Sequence, residues 1–173
     1  MSALRLGIAG CGRIAERGYL PAAAGLPGVE IAALADPDRE RAARLAGGGI
    51  ASFDSTAAML AAGEIEALIV ATPVADHLPA ARLAAAAGLP CLVEKPPAAD
   101  LEGARSLAAL DPAPRIGFNR RFLQGVDLRS AIPGEGWLEL DLELRFSRAG
   151  WGAHSSRDEA LLDAGIHLID LAR

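Results

Sequence analysis

The stretch Gly7-Ile8-Ala9-Gly10-Cys11-Gly12-Arg13-Ile14-Ala15 decides the fold. It closes an apolar run over residues 4–9 and contains the pattern Gly10-x-Gly12-x-x-Ala15. In a strand–turn–helix unit that holds a dinucleotide, the first glycine allows the tight turn. The second lets the backbone approach a pyrophosphate, and a small third residue lets the helix pack closely on the strand. Backbone N–H groups of Arg13 and Ile14, at the start of the following helix, then face the anion. Alone, the pattern equally describes a glycine-rich turn, so its neighbours decide the reading.

A second apolar run over residues 29–35 ends in Asp36, about 24 positions beyond Gly12. That is where such a unit places a carboxylate for the ribose hydroxyls. A carboxylate there favours NAD over NADP, because a 2′-phosphate would meet a like charge. Arg39 is close enough to leave NADP open. Asp36 also fits a helix N-cap, since Pro37 suits a first helical position; the two roles are compatible.

Further strands are expected over residues 67–71, 89–93 and 115–118. Helical spacing occupies residues 38–46, 55–62, 75–87 and 101–110. Strand and helix alternate, which predicts a parallel sheet covered by helices. Right-handed crossovers and short loops favour a doubly wound sheet of the Rossmann kind. The pattern changes after Pro133-Gly134. Leu138, Leu140, Leu142, Leu144 and Phe146 alternate with Glu139, Asp141, Glu143 and Arg145, as in a half-buried antiparallel strand. Residues 159–173 read as a helix. The expected division is a dinucleotide-binding domain over 1–120 and the beginning of an α+β domain over 121–173. The strand at 137–146 lacks partners in this chain, so the sequence is expected to be a truncated piece of a longer enzyme. Its open edge predicts that the chain either self-associates or leaves this segment mobile.

Composition narrows the function classes. Hydrophobic residues make up 51% of the 173 positions and charged ones 23%, enough for a real core. The formal net charge of −5 leaves no basic footprint for nucleic acid. No apolar run approaches the ~20 residues that span a bilayer. The two cysteines, Cys11 and Cys91, sit in no CxxC or Cys/His cluster, so neither a metal nor a disulfide framework is expected. Ile8-Ala9-Gly10-Cys11 has the form of a lipoprotein cleavage box. Only ten residues precede Cys11, however, and Arg5 interrupts them, so a cytoplasmic location is expected.

Several segments, in order, carry a resemblance that runs through the whole chain. They are Gly7 to Gly12 with Ala15, Ala35-Asp36-Pro37, Ala71-Thr72-Pro73 with His77, Glu94-Lys95-Pro96, Asn119-Arg120, and Asp163-Ala164-Gly165-Ile166-His167. On these the chain resembles the Gfo/Idh/MocA oxidoreductases, named for glucose-fructose oxidoreductase and inositol dehydrogenase. The resemblance implies a Rossmann domain followed by a larger α/β domain with an open antiparallel sheet, of which only the beginning is present. It implies a nicotinamide cofactor held by Gly10, Gly12, Arg13, Ile14, Asp36, Thr72, Pro73, His77, Glu94, Lys95, Asn119 and Arg120. It also implies a sugar, cyclitol or related polyol as substrate, and a whole protein that is a homo-oligomer.

Lys95 comes just after an expected buried strand, and ligands of doubly wound sheets sit beyond the carboxyl ends of strands. A lysine there can polarise a hydroxyl or carry its proton; read alone, it is an ordinary solvated lysine. Asp163 and His167, four apart on an expected helix, share one face. The histidine suits acid–base work, and the carboxylate can hold its tautomer. Read alone, they are a surface pair contributing ~0.3–0.5 kcal/mol. Asp170 extends that face and is equally well read as solvated, and Arg121 as simply exposed. His77 reads as packing or capping at the start of its helix. Two function classes are open. One is a nicotinamide-dependent oxidoreductase in which Lys95, Asp163 and His167 manage the hydroxyl proton. The other is a non-catalytic NAD(H)-binding module or partner subunit.

Overall fold

The computed structural model describes residues 2–122, 141, 143 and 165–171. The chain divides into two compact units, Met1–Gly117 and Phe118–Arg173. The first unit is built on β1 (Leu4–Ala9), β2 (Val29–Ala35), β3 (Ala51–Phe53), β4 (Ala67–Val70), β5 (Cys91–Val93) and β6 (Arg115–Ile116). These form one six-stranded sheet in the order β3-β2-β1-β4-β5-β6, with every pair parallel. Between them run α1 (Leu20–Ala24), α2 (Arg39–Ala46), α3 (Thr56–Ala61), α4 (His77–Ala86) and α5 (Leu101–Ala108). This is the doubly wound Rossmann-like arrangement that the alternation predicts.

Strand residues alternate between two cores because successive side chains leave opposite faces of the sheet. On one face Ala9, Ala33, Ala35, Leu68, Val70 and Val93 pack with Met59, Ala81, Ala84 and Leu107 from α3, α4 and α5. On the other, Ile8, Leu34 and Ile69 pack with Ala15, Ala42 and Ala46. Both faces are covered, so the strands read as unbroken apolar runs rather than as alternating ones.

Three of the helices open on a side-chain cap placed just after the preceding strand or loop. Asp38 accepts from the Arg41 amide, Ser55 from the Ala58 amide and Asp100 from the Gly103 amide. The helix after the glycine loop begins differently. A π-helical segment, Ala15–Tyr19, runs directly into α1, with the Leu20 amide bonded to the Ala15 carbonyl. Gly10 has φ of 93°, and a Cβ there would lie 2.5 Å from the Ala71 carbonyl oxygen. Only glycine lets β1 leave the sheet this close to the end of β4.

The expected strands at 4–9 and 29–35 agree with the structure to the residue. The expected strands at 67–71, 89–93 and 115–118 are shorter at one end, as Ala67–Val70, Cys91–Val93 and Arg115–Ile116. Strand β3 has no counterpart among the expected elements: three residues long, it pairs with β2 alone and comes after Gly47, Gly48 and Gly49. The helix expected over 75–87 is a 3-10 turn, Val74–Asp76, followed by α4. Asp36 is not the cap of α2; that role belongs to Asp38, two residues on. The stretch 137–146, expected as a strand, lies outside the described residues except for Asp141 and Glu143, both exposed. Of the helix expected over 159–173, the described part is α6 (Ile166–Leu171). Among the described residues no helix is long and apolar enough to cross a membrane.

Two predictions test this packing. Gly10→Ala should destabilise the chain by about 2–5 kcal/mol, from the left-handed backbone and the backbone clash together, measured by thermal or urea unfolding. Burial pushes the Cys11 and Cys91 thiols up from 9.0 to about 11, with the nearby Asp36 carboxylate adding to the effect at Cys11. At pH 8 alkylation of the folded chain should therefore be roughly 100-fold slower than of the unfolded chain, because the thiolate is the reactive form. The folded state holds these protons to higher pH than the unfolded state, so stability should fall as pH rises from 9.0 to about 11.

Candidate functional site

The carboxyl ends of β1, β2, β3 and β4 open into a cavity of about 570 Å³. Its wall includes Gly10, Asp36, Arg41, Asp54, Thr72 and Leu83. Asp36 is 6% exposed, and both of its oxygens are engaged. Oδ2 accepts from the Cys11 amide at 2.8 Å and Oδ1 from the Asp38 amide at 2.9 Å. The Arg41 guanidinium lies 3.5 Å from both oxygens and pairs with Asp38 at 3.0 Å. The terminus of β2 thus sets the shape of the glycine loop.

The rim of the cavity is acidic. The Ser55 hydroxyl, ahead of the Arg39 guanidinium, holds the Asp54 carboxyl below its ordinary range. The Arg41 amide, ahead of the Arg41 charge, does the same for Asp38. Arg39 is paired with Asp54 and does not line the cavity. The cation facing the end of β2 is Arg41, not the Arg39 that the linear spacing singles out. Asp54 and Ser55 are likewise absent from the expected site, because they come directly after the short strand β3.

Two observations fit a dinucleotide at this edge. A Cβ built on Gly12 would meet nothing within 4 Å, so the loop leaves open space where a pyrophosphate would lie. Thr72 lines the cavity, and its buried Oγ1 has no hydrogen-bond partner among the described residues. A buried hydroxyl without a partner is costly, and a ligand oxygen would satisfy it.

Of the residues expected at the site, Gly10, Asp36, Thr72 and Pro73 line the cavity. Arg13 and Ile14 are exposed at the start of the helix, away from its wall. His77 is buried beneath it. Its Nε2 meets the Thr72 carbonyl at 2.9 Å, and its Nδ1 meets those of Pro96 and Pro97 at 3.0 and 3.3 Å. Both ring nitrogens face backbone carbonyls, and the neutral imidazole has one N–H to give, so the ring is lodged between the turns after β4 and β5 and donates to one of them.

Glu94 and Lys95 come after β5, half-buried, and the Lys95–Pro96 peptide bond is cis. Glu94 accepts from the Tyr19 hydroxyl at 2.5 Å and from the Lys95 amide at 3.1 Å. One compositional signal, easily overlooked, also marks this position. The 17 basic side chains of the sequence are sixteen arginines and a single lysine, Lys95. Arginine stays protonated in proteins, whereas an ammonium can give up a proton.

In the second unit, Asn119 and Arg120 belong to a 3-10 turn, Asn119–Phe122, with Asn119 exposed and Arg120 half-buried. His167 is 7% exposed, and the Phe118 ring meets it edge-on at 6.3 Å. The Arg121 guanidinium sits 5.5 Å from the centre of the Phe118 ring and is paired with Asp170. Arg121 is thus tethered although part-exposed, and the Asp170 side chain is 4% exposed, not solvated. Asp163 lies outside the described residues.

Residues 4–112 match the family model described as "Oxidoreductase family, NAD-binding Rossmann fold". The rhizopine catabolism protein MocA of Rhizobium meliloti is 34% identical over 100% of this chain and 57% of its own length. D-apiose dehydrogenase of Paraburkholderia graminis is 30% identical over 95% of this chain and 47% of its own. Among solved structures, an oxidoreductase from Agrobacterium radiobacter in complex with NAD+, L-tartaric acid and magnesium superposes with a TM-score of 0.81. It is 27% identical and covers 99% of this chain and 54% of that one. The chain spans about half the length of the curated relatives it matches. It belongs to the Gfo/Idh/MocA family of oxidoreductases with an NAD-binding Rossmann fold.

Proposed function

We propose that this chain is the cofactor-binding part of a dehydrogenase that moves a hydride between NAD(H) and a secondary carbinol carbon of a sugar, cyclitol or related polyol. The observation that carries the reading is the glycine loop fixed to the buried Asp36 and opening into a cavity, with the only lysine of the sequence just past β5. NAD(H), when bound, supplies the hydride chemistry. The chain supplies position and proton transfer.

Open space at Gly12 leaves room for the pyrophosphate, and Thr72 offers a buried hydroxyl to the cofactor. Asp36, Asp38 and Asp54 place negative charge around the ribose end of the cavity, with Arg41 as their counter-charge. A 2′-phosphate would meet that charge, which favours NAD over NADP. Lys95 is assigned the hydroxyl proton of the substrate, with His167 and Asp163 as a second acid–base pair. The substrate class rests on the resemblance and on the sugar dehydrogenase among the relatives.

The test is a titration of the chain with NADH and NADPH, read by nicotinamide fluorescence. NADH should bind more tightly than NADPH. Asp36→Ala should weaken NADH binding and narrow the difference. Gly12→Ala should leave the unfolding midpoint nearly unmoved yet weaken NADH by tenfold or more, about 1.4 kcal/mol, because the added methyl enters the pyrophosphate space. A folded chain that binds neither cofactor would bring forward the reading of a nucleotide-like scaffold without catalysis. In the full-length enzyme, Lys95→Arg should lower turnover by roughly 100-fold or more while NADH affinity holds, since the charge remains but the releasable proton does not. Wild-type turnover in that variant would remove Lys95 from the chemistry.

A further inference from the structure

We infer that Tyr19 is a positioning residue for Lys95, acting through the Glu94 carboxylate; this rests on the proposed role of Lys95. The Tyr19 hydroxyl donates to Glu94 Oε1 across 75 positions of sequence. The other carboxylate oxygen accepts from the Lys95 amide. One carboxylate therefore joins the helix behind the glycine loop to the backbone of the lysine. The backbone of Glu94 is held by the sheet, its amide bonded to the Val70 carbonyl at 2.9 Å.

A phenylalanine would fill the same space as Tyr19, so what the hydroxyl adds is direction. Hydrogen bonds from a hydroxyl to a carboxylate are short and directional, and this one is 2.5 Å long. Burial, with the Glu94 bond added, holds the phenol protonated far above its ordinary range, so it remains a donor.

The backbone that carries Tyr19 is the π-helical segment. One residue more per turn rotates the succeeding residues by about 100° relative to an unbroken α-helix, and such turns concentrate at functional sites. The same segment starts from the glycine loop, where the Glu16 amide bonds the Gly12 carbonyl at 3.0 Å. The far side of Lys95 is packed as well, since the buried His77 ring lies against the Pro96 and Pro97 carbonyls. Lys95 lies between these two points, and one of them is tied to the loop that receives the pyrophosphate.

The single lysine makes the test clean. Reductive methylation of the 173-residue chain with ¹³C-formaldehyde labels only Lys95 and the N-terminal amine, and it preserves the charge. The Lys95 methyl signal is followed by NMR with and without NADH in wild type, Tyr19→Phe, Glu94→Ala and the double variant. Tyr19→Phe should move the signal of the cofactor-free chain. It should also cut the NADH-induced displacement by about threefold or more, while NADH affinity stays within about threefold. In the Glu94→Ala background, Tyr19→Phe should add nothing; Glu94→Gln replaces Glu94→Ala if that variant does not fold. A Tyr19→Phe signal identical to wild type in both conditions overturns the inference, as do fully additive effects in the double variant. If NADH does not bind the wild-type chain, the cofactor reading fails. The cofactor-free displacement then decides the role of Tyr19 independently.

Discussion

The hydrogen bond from the Cys11 amide to the Asp36 carboxylate, 2.8 Å long and buried, is the constraint on which the candidate site depends. A buried carboxylate is tolerable only when its charge is matched by donors. Here those donors are the Cys11 and Asp38 amides, with Arg41 alongside. The same atoms that make Asp36 tolerable hold the glycine loop in place. Its backbone is therefore shaped by the end of the neighbouring strand before any ligand arrives. This is preorganisation: a loop held by the protein's own contacts needs less reordering when a ligand binds.

The lysine end of the site is held by a different device. Asp36 works by charge matched with backbone donors, whereas Glu94 works as a bridge between a phenol and an amide. The buried His77 ring sits between the Thr72 carbonyl and those of Pro96 and Pro97, with one N–H to give to one side. The turn after β4 and the turn after β5 thus pack on one ring beneath the cavity. Fixing backbone by side chains from other elements is how a loop site acquires the precision of a regular element.

Much of this arrangement is legible in the residues. Strands β1 and β2 are readable to the residue because both faces of the sheet are covered, which turns each into an unbroken apolar run. Gly10 and Asp36 are readable because a tight turn and a ribose carboxylate demand particular residue types at fixed spacing. The features that escape the sequence have physical reasons too. Three residues of β3 are too few for any periodicity to register. Asp36 resembles a helix cap because Pro37 comes next; its oxygens are taken by the Cys11 and Asp38 amides, and Asp38 caps the helix. Arg41 escapes notice because a side chain's reach across one helical turn is not visible in a linear distance. The π-helical turn has no residue signature, so the meeting of Tyr19 with Glu94 is invisible until the chain is folded. The lone lysine is visible throughout but carries meaning only against the sixteen arginines.

The order of the strands has a consequence for how the sheet assembles. Strands β1, β2 and β3 are consecutive in the chain and adjacent in space, and so are β4, β5 and β6. Within the sheet the two halves meet at a seam, the pairing of β1 with β4, where Leu6 faces Ala67 and Ala9 faces Val70. Each half is a local folding unit whose own closures are short, and the seam is the long-range step that costs the most loop entropy. Gly10 and Thr72 sit at the carboxyl end of that seam, so the cavity comes into being only when the two halves join.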